Sequence, residues 1–151
     1  MLMAGANKQS FVSLTVAGKP IAKGRPRFGK RPGLGRGVYT VYTPENTANA
    51  EEIMQGEMRQ ACATPLEGPL ELRVTFSFRR PRSWPKAQRD AVDNGHRSWH
   101  SSKPDIDNLV KLVSDAGNGI LWRDDAQIVR LEAIKVYGAE NETTINVFPA
   151  K

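Results

Sequence analysis

The sharpest alternation of hydrophobic and polar positions lies in "GPLELRVTFSFRRP", where Leu70, Leu72, Val74, Phe76 and Phe78 recur at every second residue. A period of two puts one side of an extended chain into a core, so this stretch predicts a strand with one buried face. "SFVSLTVAG" alternates in the same way and ends at Gly18, while "VYTVYTP" carries the β-branched and aromatic residues that strands favour. Two more strands, "QIVRLEAIKVYG" and "TTINVFP", flank the polar turn "AENE". Elsewhere the period changes. "ENTANAEEIMQGEMRQACA" predicts a helix with Ile53, Met54, Met58, Ala61 and Cys62 as its buried stripe, Thr43 as its cap and Pro44 in its first turn. "RSWPKAQRDAVDNG" predicts a short helix between a Ser83 cap and Gly95, with Pro85 in its first turn. "PDIDNLVKLVSDAGNG" predicts a longer one stopped by Gly117 and Gly119, after the irregular "HRSWHSSK". "KPIAKGRPRFGKRPGLGRG" is too rich in Gly and Pro for a helix and reads as a flexible basic loop over about residues 19–37. The order β-β-α-β-α-α-β-β predicts an α/β (α+β) fold. It is expected to be a single domain spanning residues 1–151, a mixed β-sheet covered by helices.

With 151 residues the chain is long enough for one sizeable core. No apolar run approaches the roughly 20 residues that span a bilayer, and the first ten residues lack the apolar stretch of a signal peptide. The single cysteine, Cys62, can form no internal disulfide and reads as a small buried apolar residue. These features point to the cytoplasm. The net charge is +6 and is unevenly spread: residues 1–44 carry eight Lys or Arg and no Asp or Glu, leaving the remainder at −2. A basic arm joined to a more acidic body suggests an anionic partner, with nucleic acid first. Lys19, Lys23, Arg25, Arg27, Lys30, Arg31 and Arg36 are the candidate DNA-binding residues, contacting phosphates with salt-dependent affinity. The glycines among them make no P-loop, because no Gly-Lys-Ser/Thr step leads into a helix. Phe28 is a candidate either to stack on an unpaired base or to anchor the loop on the core. Arg79, Arg80, Arg82, Lys86 and Arg89 form a second basic run, and Trp84, Trp99 and Trp122 read as packing residues.

The candidate chemistry lies in "SSKPDIDNLVKLVSDAGNGILWRDDAQI", which puts Asp105, Asp107, Asp115, Asp124 and Asp125 into little more than twenty residues. Two carboxylates 4 Å apart repel by about 4 kcal/mol at an effective dielectric of 20. A shared proton, nearby cations or a bound metal ion must offset that, and only Lys111 and Arg123 lie among them. Pro104 disfavours helix for Lys103, so Asp105-x-Asp107 is expected where an extended approach turns into a helix. There the first-turn N–H groups favour negative charge. Asp107, Lys111 and Asp115 are spaced by four and share a stripe. Asp124 and Asp125 return after the Gly117–Gly119 turn. Taken singly, these residues also fit a cap, a surface ion pair and a turn. Taken together they supply carboxylate oxygens of the kind that hard divalent cations choose. A zinc site at His96 and His100 lacks a matching second pair of ligands.

The same residues carry a resemblance. Lys103 to Leu109, then Lys111, Asp115-Ala116, Trp122 and Asp124-Asp125-Ala126-Gln127 fall in register with the signature of the RusA-type Holliday-junction resolvases of bacteria and their phages and prophages. "GKPIAKGRPRF" followed by "VYTVYTPE" is similar to the phage-type branch. Gly117 departs from the family, which often has leucine there, and residues 81–102 are longer than in the shortest members. The resemblance implies a homodimeric α/β endonuclease of bacterial or phage origin that cuts four-way DNA junctions by paired nicks. It implies Mg²⁺ as cofactor, with Mn²⁺ as a substitute. It maps the catalytic aspartates onto Asp105, Asp107 and Asp125, which would hold the metal together with Asp124, and the functional lysine onto Lys111. Two other readings stay open at this point: a metal-dependent nuclease acting on other branched or flapped DNA, and a non-catalytic DNA-binding protein with structural aspartates.

Overall fold

The computed structural model describes residues 11–24, 27–30, 39–42 and 45–151. Its elements are β1 (Val12–Ala17), β2 (Arg27–Lys30), β3 (Tyr39–Tyr42), α1 (Glu45–Ala61), β4 (Leu70–Arg79), α2 (Lys86–Asp93), α3 (Ile106–Gly117), β5 (Ile128–Gly138) and β6 (Glu142–Pro149). A 3₁₀ turn over Asp125–Gln127 leads directly into β5. The main sheet has the strand order β1-β6-β4-β5. β6 runs antiparallel to both β1 and β4, whereas β4 and β5 are parallel. The sheet is therefore mixed, as the order of elements suggested.

The alternation read from the sequence becomes layers of core. Leu14, Ile145 and Val74 sit side by side across β1, β6 and β4, with Val12, Val147 and Leu72 in the next row. α1 and α3 cover this face through Met54 and Met58 from one helix and Leu109, Leu112, Val113 and Ala116 from the other. α2 serves the opposite face. Its buried Val92 lines a concavity with Thr75, Ser77, Ile134 and Val136.

Four expectations need correction. Residues 27–30 were expected within the loop but form β2, which pairs with β3 from Arg27↔Tyr42 to Lys30↔Tyr39. Pairing with a neighbouring strand outweighs their poor local propensity. Ile53 is 60% exposed and Ala61 is exposed too, so the buried stripe of α1 runs through Thr47, Met54 and Met58. Cys62 is only partly buried, and its thiol donates to the Thr64 carbonyl. α2 begins after Pro85 with no side-chain cap, because Pro85 rather than Ser83 stands at the helix entry. The expected cap Thr43 and Pro44 lie outside the described residues.

Gly117, the last residue of α3, has no room for a side chain: a Cβ there would clash with Cζ2 of the Trp122 ring. Trp122 is fully buried and its indole N–H donates to Asn118 Oδ1 at 3.0 Å. The ring occupies the space that a larger residue would need.

Candidate active site

The acidic block is delivered by an extended approach, as its sequence implies. The Lys103–Pro104 peptide is cis. Asp105 is extended at the helix entry (φ −71°, ψ 139°), and α3 starts one residue later. Asp105 accepts from Lys103 Nζ at 2.7 Å. That hydrogen bond and the lysine's charge, helped by Lys135, hold the Asp105 carboxyl below the usual carboxylate range. Asp105, Ile106 and Asp107 line a groove of about 510 Å³ whose other walls are Trp99, His100, Ala133, Ile134 and Lys135. The groove lies where the start of α3 meets the edge strand β5.

Lys135 builds this groove. It pairs with Phe76 in the β4·β5 register and so falls on the core-facing side of β5. From there its Nζ donates to the carbonyl oxygens of Ser102 and Pro104 at 2.5 and 2.6 Å. Two carbonyls of the approach are thereby fixed to the sheet immediately before Asp105. The segment holding Trp99 and His100 is fixed as well. His100 N–H donates to the Lys135 carbonyl at 3.1 Å, and Tyr137 N–H donates to the Ser98 carbonyl at 2.8 Å.

The other aspartates form a second group. Lys111 Nζ lies 3.3 Å from Asp115 Oδ1, one turn further along α3. Lys23 Nζ also reaches Asp115 Oδ2 at 3.3 Å and donates to Glu51 at 2.9 Å. Burial works against the Lys23 ammonium, but the hydrogen bonds and charges of Glu51 and Asp115 outweigh it and raise its pKa. Of the arm's candidate cations, Lys23 is thus engaged within the chain, tethering the root of the arm to α1 and α3. Asp124 accepts from Ala126 N–H at 2.9 Å and caps the 3₁₀ turn. Asp125 hydrogen-bonds to Asp124. That bond, then burial and the Asp124 charge, push the Asp125 carboxyl up, while Lys111 pulls it down. Gln127 clamps the turn: its Nε2 donates to the Leu66 and Gly68 carbonyls at 2.9 and 3.1 Å, and its Oε1 accepts from the Arg123 and Asp124 N–H groups.

Asp105 and Asp107 therefore share one groove, while Asp124 and Asp125 stand beside Lys111 and Asp115. Among the described residues no three carboxylate, imidazole or thiol groups already converge as a metal cage. The side chains of Arg27 and Lys30, and all of Arg25, Arg31 and Arg36, lie outside the described residues. Of the second basic run, Arg80 forms a two-pronged pair with Asp93 at 2.7 and 2.8 Å and Lys86 pairs with Asp90 at 2.8 Å. Among the tryptophans Trp122 packs, but Trp99 is 58% exposed, with the Arg97 guanidinium 5.0 Å from its ring centroid.

The model of the endodeoxyribonuclease RusA family matches residues 17–148, nearly the whole described chain. The chain belongs to the RusA endodeoxyribonuclease family. Its enzyme class is that of an endonuclease, which hydrolyses phosphodiester bonds of DNA. It is 28% identical over 138 residues to the uncharacterised protein YqaN of Bacillus subtilis, covering 90% of this chain and 94% of that one. It is 35% identical over 83 residues to a protein of Lactococcus phage r1t named crossover junction endodeoxyribonuclease, covering 52% of this chain and 53% of the phage protein. In the setting of a RusA-family nuclease, Lys135 is the residue that sequence reading passed over. Its signal was present: in "LEAIKVY" a charge falls where the period of two calls for an apolar residue.

Proposed function

We propose that this RusA-family nuclease resolves four-way DNA junctions by paired nicks, acting as a homodimer with a divalent cation, Mg²⁺ or Mn²⁺. The observation that supports it most is the shared groove of Asp105 and Asp107 at the open start of α3, in a chain whose first 44 residues hold no acid. Asp105, Asp107 and Asp125, with Asp124 beside it, are the residues that would hold the metal. The donors fit a hard cation, since all are carboxylate oxygens. Mg²⁺ keeps several waters and needs only one or two carboxylates, so a three-carboxylate cage is not required. The raised Asp125 adds to the fit, because the neighbouring carboxylate charge that helps push it up is one a bound cation would offset. When bound, such a cation polarises a phosphoryl oxygen and lowers the pKa of its water.

The chain's own residues have separate tasks in this scheme. Lys111, 58% exposed between the two aspartate groups, is placed to contact the scissile phosphate or orient the attacking water. Lys19, Arg25, Arg27, Lys30, Arg31 and Arg36 contribute phosphate contacts that position the DNA without reading its bases. Lys135 keeps the Asp105 approach in register with β5. A titration of Mg²⁺ with a labelled four-way junction, a flap and a linear duplex tests the proposal. Metal-dependent, symmetric nicking of the junction in preference to the other two is expected. Preferred cutting of the flap would assign other branched DNA, and binding without cutting would make the aspartates structural.

A further inference from the structure

The groove of Asp105 and Asp107 has an apolar lining that phosphodiester hydrolysis does not use. Trp99 and Ile106 contribute to it while 58% and 38% exposed, and Ala133 and Ile134 complete it. The Trp99 ring is exposed although its backbone is held. Trp99 bridges to Val136, and on either side of it Ser98 and His100 are hydrogen-bonded to Tyr137 and Lys135 of β5. Side chains alternate along such an extended segment. His100 accordingly turns inward to stack on Phe78, and Trp99 turns out to line the groove. The Arg97 guanidinium lies against one face of the indole. A phosphate backbone alone is met by cations. A fixed, open indole is matched by a flat apolar partner, and in a DNA strand only the bases supply one.

We propose that Trp99 is a nucleobase site: its ring stacks on the base of a nucleotide adjoining the phosphate held at Asp105 and Asp107. The site rests on the proposed cutting of branched DNA and adds a selection for where the cut falls. In a continuous duplex every base is stacked and paired, and taking one out costs free energy. At a branch point stacking is interrupted, so a base there reaches the indole at a smaller cost. The aspartates then act on backbone whose base has left the stack. The identity of that base matters little, since every base has a π-face. A ring already fixed by its backbone also loses little freedom on binding, which favours its use as a platform.

Abasic substitution separates stacking from a structural role. Affinity for a four-way junction is measured without divalent cation, so that nothing is cut, for the wild type, Trp99→Ala and Trp99→Phe. Trp99→Ala is expected to bind roughly 5- to 150-fold more weakly, the range that base–aromatic stacking spans. Its salt dependence should match the wild type, because no phosphate contact is lost. Trp99→Phe keeps a ring and should recover most of the affinity. Junctions in which each nucleotide near the branch point is replaced in turn by an abasic residue then locate the base. At one such position the wild type should lose affinity and Trp99→Ala should lose nothing further, since two changes that remove one contact do not add. Losses that add at every position overturn the proposal, and so does unchanged affinity in Trp99→Ala. A Trp99→Ala chain that sediments as a monomer where the wild type is a dimer also overturns it, because the indole would then pack on a second copy. A wild type that binds no branched DNA would overturn both this site and the proposed function. Coupling between Trp99 and one base, with no nicking once Mg²⁺ is added, would uphold the site and count only against the proposed reaction.

Discussion

Lys135 donates from Nζ to the Pro104 carbonyl oxygen at 2.6 Å, one residue before Asp105. A charge on the core-facing side of β5 therefore fixes the backbone that carries the first aspartate. Lys135→Met is expected to lower nicking by on the order of 10–100-fold, since small misplacements of reacting groups cost that much. Junction binding should stay within a few-fold, and Lys135→Arg should recover much of the rate. Equal losses of binding and nicking, with no recovery by arginine, would reduce Lys135 to a packing residue.

Asp107→Asn keeps the shape of the side chain and weakens its hold on a cation. It should abolish nicking while junction binding is kept or even tightened, because one negative charge facing the phosphates is gone. Asp105→Asn and Asp125→Asn should behave alike, and Lys111→Ala should harm cutting more than binding. Binding and nicking measured on one junction with the same folded variants decide the matter. Full nicking by Asp107→Asn would remove it from the metal site.

The arm should govern affinity. Arg25→Ala with Arg27→Ala is expected to weaken junction binding and flatten its salt dependence by roughly one unit per lost phosphate contact. An unchanged slope in a salt titration would show that these arginines touch no phosphate.

Much of this was legible in the sequence, for identifiable reasons. The period of two in β4 and β1 named the buried rows, and Pro104 with two aspartates named an extended entry into α3. The strand β2 was hidden because Gly29 and the cations around it carry loop chemistry, and only the partner β3 reveals the pairing. Ile53 misled because an apolar residue on a helix faces the core only where the core exists. The exposure of Trp99 depends on how residues 98–100 dock on β5, which no local pattern encodes. The two separate aspartate groups reflect the path of the chain from α3 to the 3₁₀ turn, and spacing alone does not give that path.

Gly117 supplies a stability test. Gly117→Ala would drive its Cβ against the buried Trp122 ring and is expected to cost about 1–3 kcal/mol, the usual range for an overpacked core. Urea unfolding should show a lower midpoint with the slope unchanged. An equal or higher midpoint would mean that the ring yields at no cost.

His100 stacks on Phe78 at 3.9 Å and leans on Tyr137, and its Nδ1 is buried without a hydrogen-bond partner among the described residues. Burial first, then the charges of Lys135 and Lys19, hold the imidazole below the usual histidine range, against a backbone hydrogen bond that raises it. The unfolded chain then takes up a proton near pH 6.5 that the folded chain resists. This contribution to stability is present above that pH and is lost as pH falls below it. The melting temperature should drop between pH 7.5 and 5.5 more steeply in the wild type than in His100→Phe, which keeps the ring and cannot titrate. Parallel curves would show that His100 protonates freely when folded.

The parallel pairing of β4 with β5 has a kinetic consequence. Parallel strands cannot be joined by a tight turn, and here the whole of α2, the Trp99 segment and α3 lie in the crossover between Arg79 and Ile128. Closing so long a loop costs chain entropy before its contacts reward it, which slows folding. The β1·β6·β4 rows contain much of the apolar core without β5, whereas the Asp105 groove needs β5 in place. Assembly of the groove is thus expected to belong to the last step of folding. Substitutions there should mainly speed unfolding and leave the folding rate nearly untouched.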